Sequence, residues 1–153
     1  MPDRREEILA RLLVIAKTIT GIKDAWRNRG LRKNDQRPCI VIMDADESSS
    51  VTQPPKGRVV GFAPQIGRMR PEIYVLMDEN RPTNIKEDEN VGSILNGIKS
   101  EFTSAIASDA TLLSLLGSNG GMVYEGCATD LKSGARASGE MKIDFSFTYP
   151  INV

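Results

Sequence analysis

One stretch of this sequence leaves little freedom in how the chain can fold. From Met141 to Ile151 apolar side chains fill alternate positions (Met141, Ile143, Phe145, Phe147, Tyr149, Ile151), with Lys142, Asp144, Ser146 and Thr148 between them. Successive residues of a β-strand point to opposite faces, so the pattern predicts a strand with one face on a core and the other toward water. Met122 to Asp130 reads as its hairpin partner. Leu131 to Ser138 joins the two arms, with Lys132 and Arg136 at the tip. A half-buried strand requires a second layer over its apolar face, and the remaining segments offer helices for that purpose.

The N-terminal segment carries the other strong period. Between Arg4 and Asn28, Ile8, Leu12, Ile15, Ile19, Ile22 and Trp26 recur at helical spacing, widened by Leu9, Leu13 and Ala16. Asp3 is placed to cap the start, and Glu6 and Glu7 suit the positive end of a helix. The spacing predicts one long helix ending near Gly30, with Gly21 as a weak point inside it. A basic, polar linker follows from Arg29 to Arg37. Cys39 to Met43 is an apolar run of strand length, continuous enough for burial on both faces, and it ends in the acidic turn Asp44-Ala45-Asp46-Glu47.

Ser48 to Gly57 reads as a loop, and Arg58 to Phe62 as a short strand broken by Pro64 and Gly67. Glu72 to Met77 reads as a strand with Pro71 at its entrance. Glu79 to Asn90 is a polar loop, with Asn90 as the cap of a second helix bearing Ile94, Leu95, Ile98, Phe102 and Ile106 on one face. Asp109 caps a short third helix, which Gly117 to Gly121 stops. The order predicts an α+β fold for residues 1–153 as a single domain. It is a mostly antiparallel sheet packed by a long N-terminal helix and one or two further helices, closing with a C-terminal β-hairpin.

The chemistry available is limited. The chain has no histidine, which removes Ser-His-Asp and Cys-His nucleophile systems and the commonest general base at neutral pH. No GxxxxGK[ST] or GxGxxG motif occurs, and the glycines after the third helix lie on the wrong side of it to cradle phosphate. Cys39 and Cys127 make at most one bridge and read as core or sheet residues. Asp44 and Asp46, spaced by two at a strand end, form a D-x-D similar to that of Mg²⁺-dependent phosphotransferases; the plainer reading is a solvated strand end. With 20 basic and 20 acidic residues, no net field favours nucleic acid or an anionic membrane. Arg27, Arg29, Arg32, Lys33 and Arg37 form only a local basic stretch. The charged start, Met1 to Glu7, does not read as a signal peptide, and no run approaches the ~18 apolar residues of a membrane span. Synthesis in a reducing cytosol is expected, with no enzymatic activity, no catalytic or metal-binding residues and no cofactor.

Three stretches resemble the tail terminator (tail-completion) proteins of tailed bacteriophages. They are Arg37 to Glu47 with its apolar strand and acidic turn, Leu115 to Gly126 with its helix, Gly-rich turn and strand, and Gly139 to Tyr149 as closing strand. The sequence departs from that pattern at Ala45, where a glycine would be expected. The resemblance implies a structural virion protein at the tail–neck junction. It would form a homo-hexameric ring on the head-proximal end of the tail tube, stop tube polymerisation and join the tail to the neck or head. Implied partners are further copies of the chain, the tail tube protein, a neck or head-completion protein and the tail sheath. Another neck or head–tail connector protein is the nearest alternative. The two polar segments are the expected contact surfaces: Glu79, Arg81, Lys86, Glu87, Asp88 and Glu89 in one, Lys132 and Arg136 in the other.

Overall fold

The computed structural model describes residues 3–28, 38–51, 64–77, 87–132 and 138–151, with backbone alone at 87–90, 131–132 and 138. Three helices, α1 (Arg4–Lys17), α2 (Glu87–Ser108) and α3 (Ala110–Leu116), accompany seven strands, which are β1 (Asp24–Arg27), β2 (Cys39–Met43), β3 (Glu47–Val51), β4 (Gln65–Met69), β5 (Glu72–Met77), β6 (Gly121–Lys132) and β7 (Ser138–Ile151). The strands form one sheet in the order β1-β2-β5-β7-β4-β3, with β6 on the other side of β7. Among the described residues only the β1–β2 pair is parallel. The α+β architecture with a closing hairpin is the one the sequence predicts.

The alternating strand is the spine of the sheet. One edge of β7 pairs with β6 and the other with both β4 and β5. Met69 stands opposite Phe147 and Glu72 opposite Asp144, so β4 and β5 share a single register interrupted only at Arg70–Pro71. Met141, Ile143, Phe145, Phe147 and Tyr149 are all buried. They meet Ile8, Leu9, Leu12, Ile15 and Ala16 of α1, Leu95, Ile98, Phe102 and Ile106 of α2, and Leu112 and Leu116 of α3 in one core. Phe145 packs edge-on against Phe102 at 6.4 Å between ring centroids. On the opposite face, Cys39, Val41 and Leu76 form a second, smaller buried cluster with Trp26, Met43 and Tyr74. That explains the unbroken apolarity of β2.

The N-terminal helix is shorter than its apolar period predicts. Asp3 caps it as expected, accepting from the backbone N–H of Arg5 and Glu6, but it ends at Lys17 with Thr18 as C-cap. Thr18, Ile19, Thr20 and Ile22 are β-branched and poor helix formers, and Gly21 turns the chain at φ +85°. Trp26 therefore lies in strand β1 instead of on a helical stripe. Ile19 remains in the core, so apolar spacing alone could not mark the boundary.

Two segments expected to lack strands contain them. Ser48 to Val51 belongs to β3, a fully exposed strand held by pairing with β4 and not by its own residues. Gly67 sits within β4, because a β-carbon there would lie 2.8 Å from Tyr149 Cε2 and 2.9 Å from Ile151 Cγ1. It marks a close approach and not a break. The strand expected at Arg58 to Phe62 lies outside the described residues.

Gly120 closes the turn between α3 and β6, where a β-carbon would collide with the backbone oxygens of Leu116 and Thr148. Gly120→Ala should lower stability by at least ~2 kcal/mol in chemical denaturation, since backbone cannot yield as a side chain can. Leu12→Ala and Phe145→Ala should each cost ~2–5 kcal/mol. A loss under ~0.5 kcal/mol at either position would contradict the core assignment of its element.

Candidate protein–protein interface

Where β7 has neighbours on both edges, β6 has one. Among the described residues no strand pairs with its outer edge, and nearly every residue from Val123 to Asp130 is exposed. A bulge lies between Tyr124 and Gly126, where Glu125 is left out of the pairing and Gly126 takes φ +132°. Glu125 reaches back over the sheet to Arg68 and Arg70 of the β4 segment, 3.8 Å from each guanidinium. Arg68 is also anchored by donating to Ser146 Oγ at 3.1 Å.

Val123 and Tyr124 are 57% and 44% exposed. Val123 pairs with Ser146 on the face away from the helices, and Tyr124 pairs with Phe145 on the helix face, ring centroids 5.7 Å apart. Lys99 of α2 covers the Tyr124 ring at 5.9 Å and lies 3.9 Å from Cys127 Sγ. A hydrogen bond with the Cys127 thiol holds the Tyr124 phenol above its usual pKa. The edge is thus lined by polar backbone and two half-exposed apolar side chains, one on each side of the sheet. Met122-Val123-Tyr124 was the available signal in the sequence, because three consecutive apolar residues cannot all face one core in a strand.

The expected contact residues are distributed differently from the sequence reading. Glu87, Asp88 and Glu89 belong to the first turn of α2 and not to a loop, and Asn90 lies inside that helix instead of capping it. Acidic residues are favoured at the positive end of a helix, which accounts for the earlier start. Lys132 is the last residue of β6, opposite Ser138, and not part of the connecting loop. The ladder continues past Asp130 because Leu131 and Lys132 stay in register with Gly139 and Ser138. Glu79, Arg81, Lys86 and Arg136 lie outside the described residues.

The acidic turn is occupied by structural pairing. Arg27 on β1 makes a two-point contact with Asp44, with Nε to Oδ1 at 3.1 Å and Nη2 to Oδ2 at 2.8 Å, and a second with Glu6 of α1. Asn28, at φ +54°, accepts from the Asp44 backbone N–H. The hydrogen bonds from Arg27 hold the Asp44 carboxyl below its ordinary pKa, outweighing partial burial, and also lower that of Glu6. Arg27 is therefore withdrawn from the basic stretch that followed it in the sequence. Asp46 and Glu47 line a shallow groove of about 400 Å³ with Arg68 and Arg70, while Glu47 accepts a short hydrogen bond from the Tyr149 hydroxyl. A second groove of about 610 Å³ lies beside the start of β6, between Pro64, Ile66, Asn119 and Pro150.

Among the described residues no cluster of three His, Cys, Asp or Glu could hold a metal ion, and no helix is long and apolar enough to cross a membrane. No protein-family model matches the chain, and no curated protein matches it as a relative.

Depressed carboxylate pKa values stabilise the fold above their unfolded values, and that contribution is lost as pH falls through the folded ones. Asp44, Glu6 and Asp109, which pairs with Arg11 at 2.7 Å, all shift downward. The melting temperature should therefore hold between pH ~7 and ~5 and fall between pH ~4 and ~2. Arg27→Gln should cost roughly 1–3 kcal/mol at neutral pH, as expected when a charged hydrogen-bond donor is removed, and should flatten the acid limb. An unchanged acid limb in that variant would contradict the pairing.

Proposed function

We propose that this chain is a structural virion protein of a tailed bacteriophage, a tail terminator. Its copies form a ring on the head-proximal end of the tail tube, end tube growth and present a surface to the neck or head. The observation that carries the reading is the long exposed edge of β6, with Val123 and Tyr124 half exposed on either side of it. A sheet edge with unpaired backbone recruits another protein strand, and half-exposed apolar side chains at the same edge add area for that partner to cover. Support also comes from the element order. An N-terminal helix, a strand ending in an acidic turn, a helix stopped by glycines and a closing hairpin match the pattern on which the resemblance rests.

The phosphotransferase alternative requires Asp44 as a nucleophile. Its carboxylate is instead engaged at both oxygens by Arg27, a geometry that blunts attack. A Mg²⁺-dependent activity lost in Asp44→Asn would revive that reading. Another neck or connector protein differs from a terminator in the partner that it binds, so binding to tail tubes separates the two.

Native mass measurement of the protein alone and mixed with tail tubes tests the proposal. A hexamer, free or on the tube, is expected; a stable dimer or a dodecamer would overturn it. Replacing Lys132 and Arg136 together with Glu should leave the melting temperature unchanged but give overlong or unjoined tails, since rim charges govern docking more than folding. Normal tails from the folded double variant would remove the hairpin end from the contact surface.

A further inference from the structure

We propose that copies of this chain join edge to edge, the outer edge of β6 in one copy pairing with the outer edge of β3 in the next. This inference rests on the ring reading above and specifies the joint. The register places β3, β4, β7 and β6 side by side. Ser48 pairs with Arg68, Arg68 with Thr148, and Thr148 with Gly121; the neighbouring row runs Glu47, Met69, Phe147, Met122. Each of the three pairings is antiparallel, so strand direction alternates across the four and β6 runs opposite to β3. A second copy in the same orientation therefore offers its β3 to β6 in antiparallel sense, and the alternation continues across the boundary.

Neither edge carries the usual defences. β3 is Glu-Ser-Ser-Ser-Val, without lysine, proline or bulge, and is exposed throughout. The first part of β6, Gly121 to Tyr124, is equally unguarded until the bulge at Glu125. These two straight segments are of similar length. Apolar exposure marks both, with Val51 51% exposed on β3 and Val123 and Tyr124 on β6. Among the described residues no strand occupies either outer edge. The two edges differ and lie on opposite sides of one sheet, so each joint consumes one edge and leaves its complement for the next copy. Such a contact is heterologous and ends only when rotation closes it into a ring. Pairing of β6 with β6 would instead stop at a dimer and leave β3 bare.

The test introduces Ser48→Cys and Val123→Cys, which lie on the same face of the sheet, singly and together, in a Cys127→Ser background, followed by mild oxidation and non-reducing electrophoresis. Native mass is measured in parallel, alone and on tail tubes. Both positions are exposed, so folding should be retained, and thermal melting checks it. The double variant should give a ladder of covalent multimers, with neither single variant giving one. Efficient dimers from Val123→Cys alone would overturn the joint in favour of two-fold β6 pairing. Rings by native mass without cross-links in the double variant would overturn the joint and leave the ring reading standing. Monomers throughout, with and without tubes, would overturn the ring reading and the joint with it. In the native-cysteine protein, Ser48→Lys with Val123→Lys should weaken multimer formation roughly tenfold or more, through like charges brought together on one face of the joint; unchanged multimers in that variant would also overturn the joint.

Discussion

The pairing of β7 along both of its edges is the constraint on which the rest of the structure depends. Fourteen residues of extended chain bring together strands that otherwise have no common neighbour, because β4, β5 and β6 all meet on it. Its apolar face also gives the three helices their common floor. The pleat ties these roles together. A shift of one residue would exchange Met141, Ile143, Phe145, Phe147 and Tyr149 for Lys142, Asp144, Ser146 and Thr148 on the helix side. Burying that polar row without partners would be prohibitive, so the register of the whole sheet follows from one sequence pattern.

Around this centre, charged side chains fix the ends of elements and leave the core apolar. Arg27 ties β1 to the acidic turn and to the first turn of α1, and Arg11 ties α1 to the cap of α3 through Asp109. Between β2 and β3, three residues, Asp44 to Asp46, span what Arg70 and Pro71 span on the neighbouring line of strands. The surplus residue bends the chain there, and the Arg27 contact holds Asp44 at the bend. The open sheet face continues in the same style, with Lys142 3.2 Å from Glu72 and Tyr74 donating to the same carboxyl at 2.6 Å.

Elements whose residues carry their own signal were legible in the sequence. β7, β5, β2, α3 with its Asp109 cap and the buried face of α2 appear where composition and period place them. Elements held by neighbours were not. Nothing in Ser48-Ser49-Ser50 favours a strand, and β3 exists because β4 presents a matching edge. Gly67 looked like a break because the close approach of Tyr149 is a tertiary fact. The end of α1 was available in the β-branched run from Thr18, but the apolar period at Ile19 and Ile22 masked it. The candidate interface divides in the same way. Long polar segments drew attention to Lys132 and to Glu87, Asp88 and Glu89, which proved to lie in regular elements. The apolar run Met122-Val123-Tyr124 marks the exposed side chains in the sequence, but the open edge beside them follows from the pairing of β6 with β7 alone among the described strands.

The position of the central strand has a consequence for how the molecule comes into being. β7 follows every other element in the chain, yet it joins β4, β5 and β6 and floors the core. On a ribosome the earlier strands emerge with no centre to assemble on, and the apolar faces of α1 and α2 wait for a partner made tens of residues later. Contacts so distant in sequence are slow to form, because loop closure must precede any gain from burial. The nascent chain thus passes through a prolonged interval with bare strand edges. Until β7 is made, β4, β5 and β6 lack the strand on which they meet.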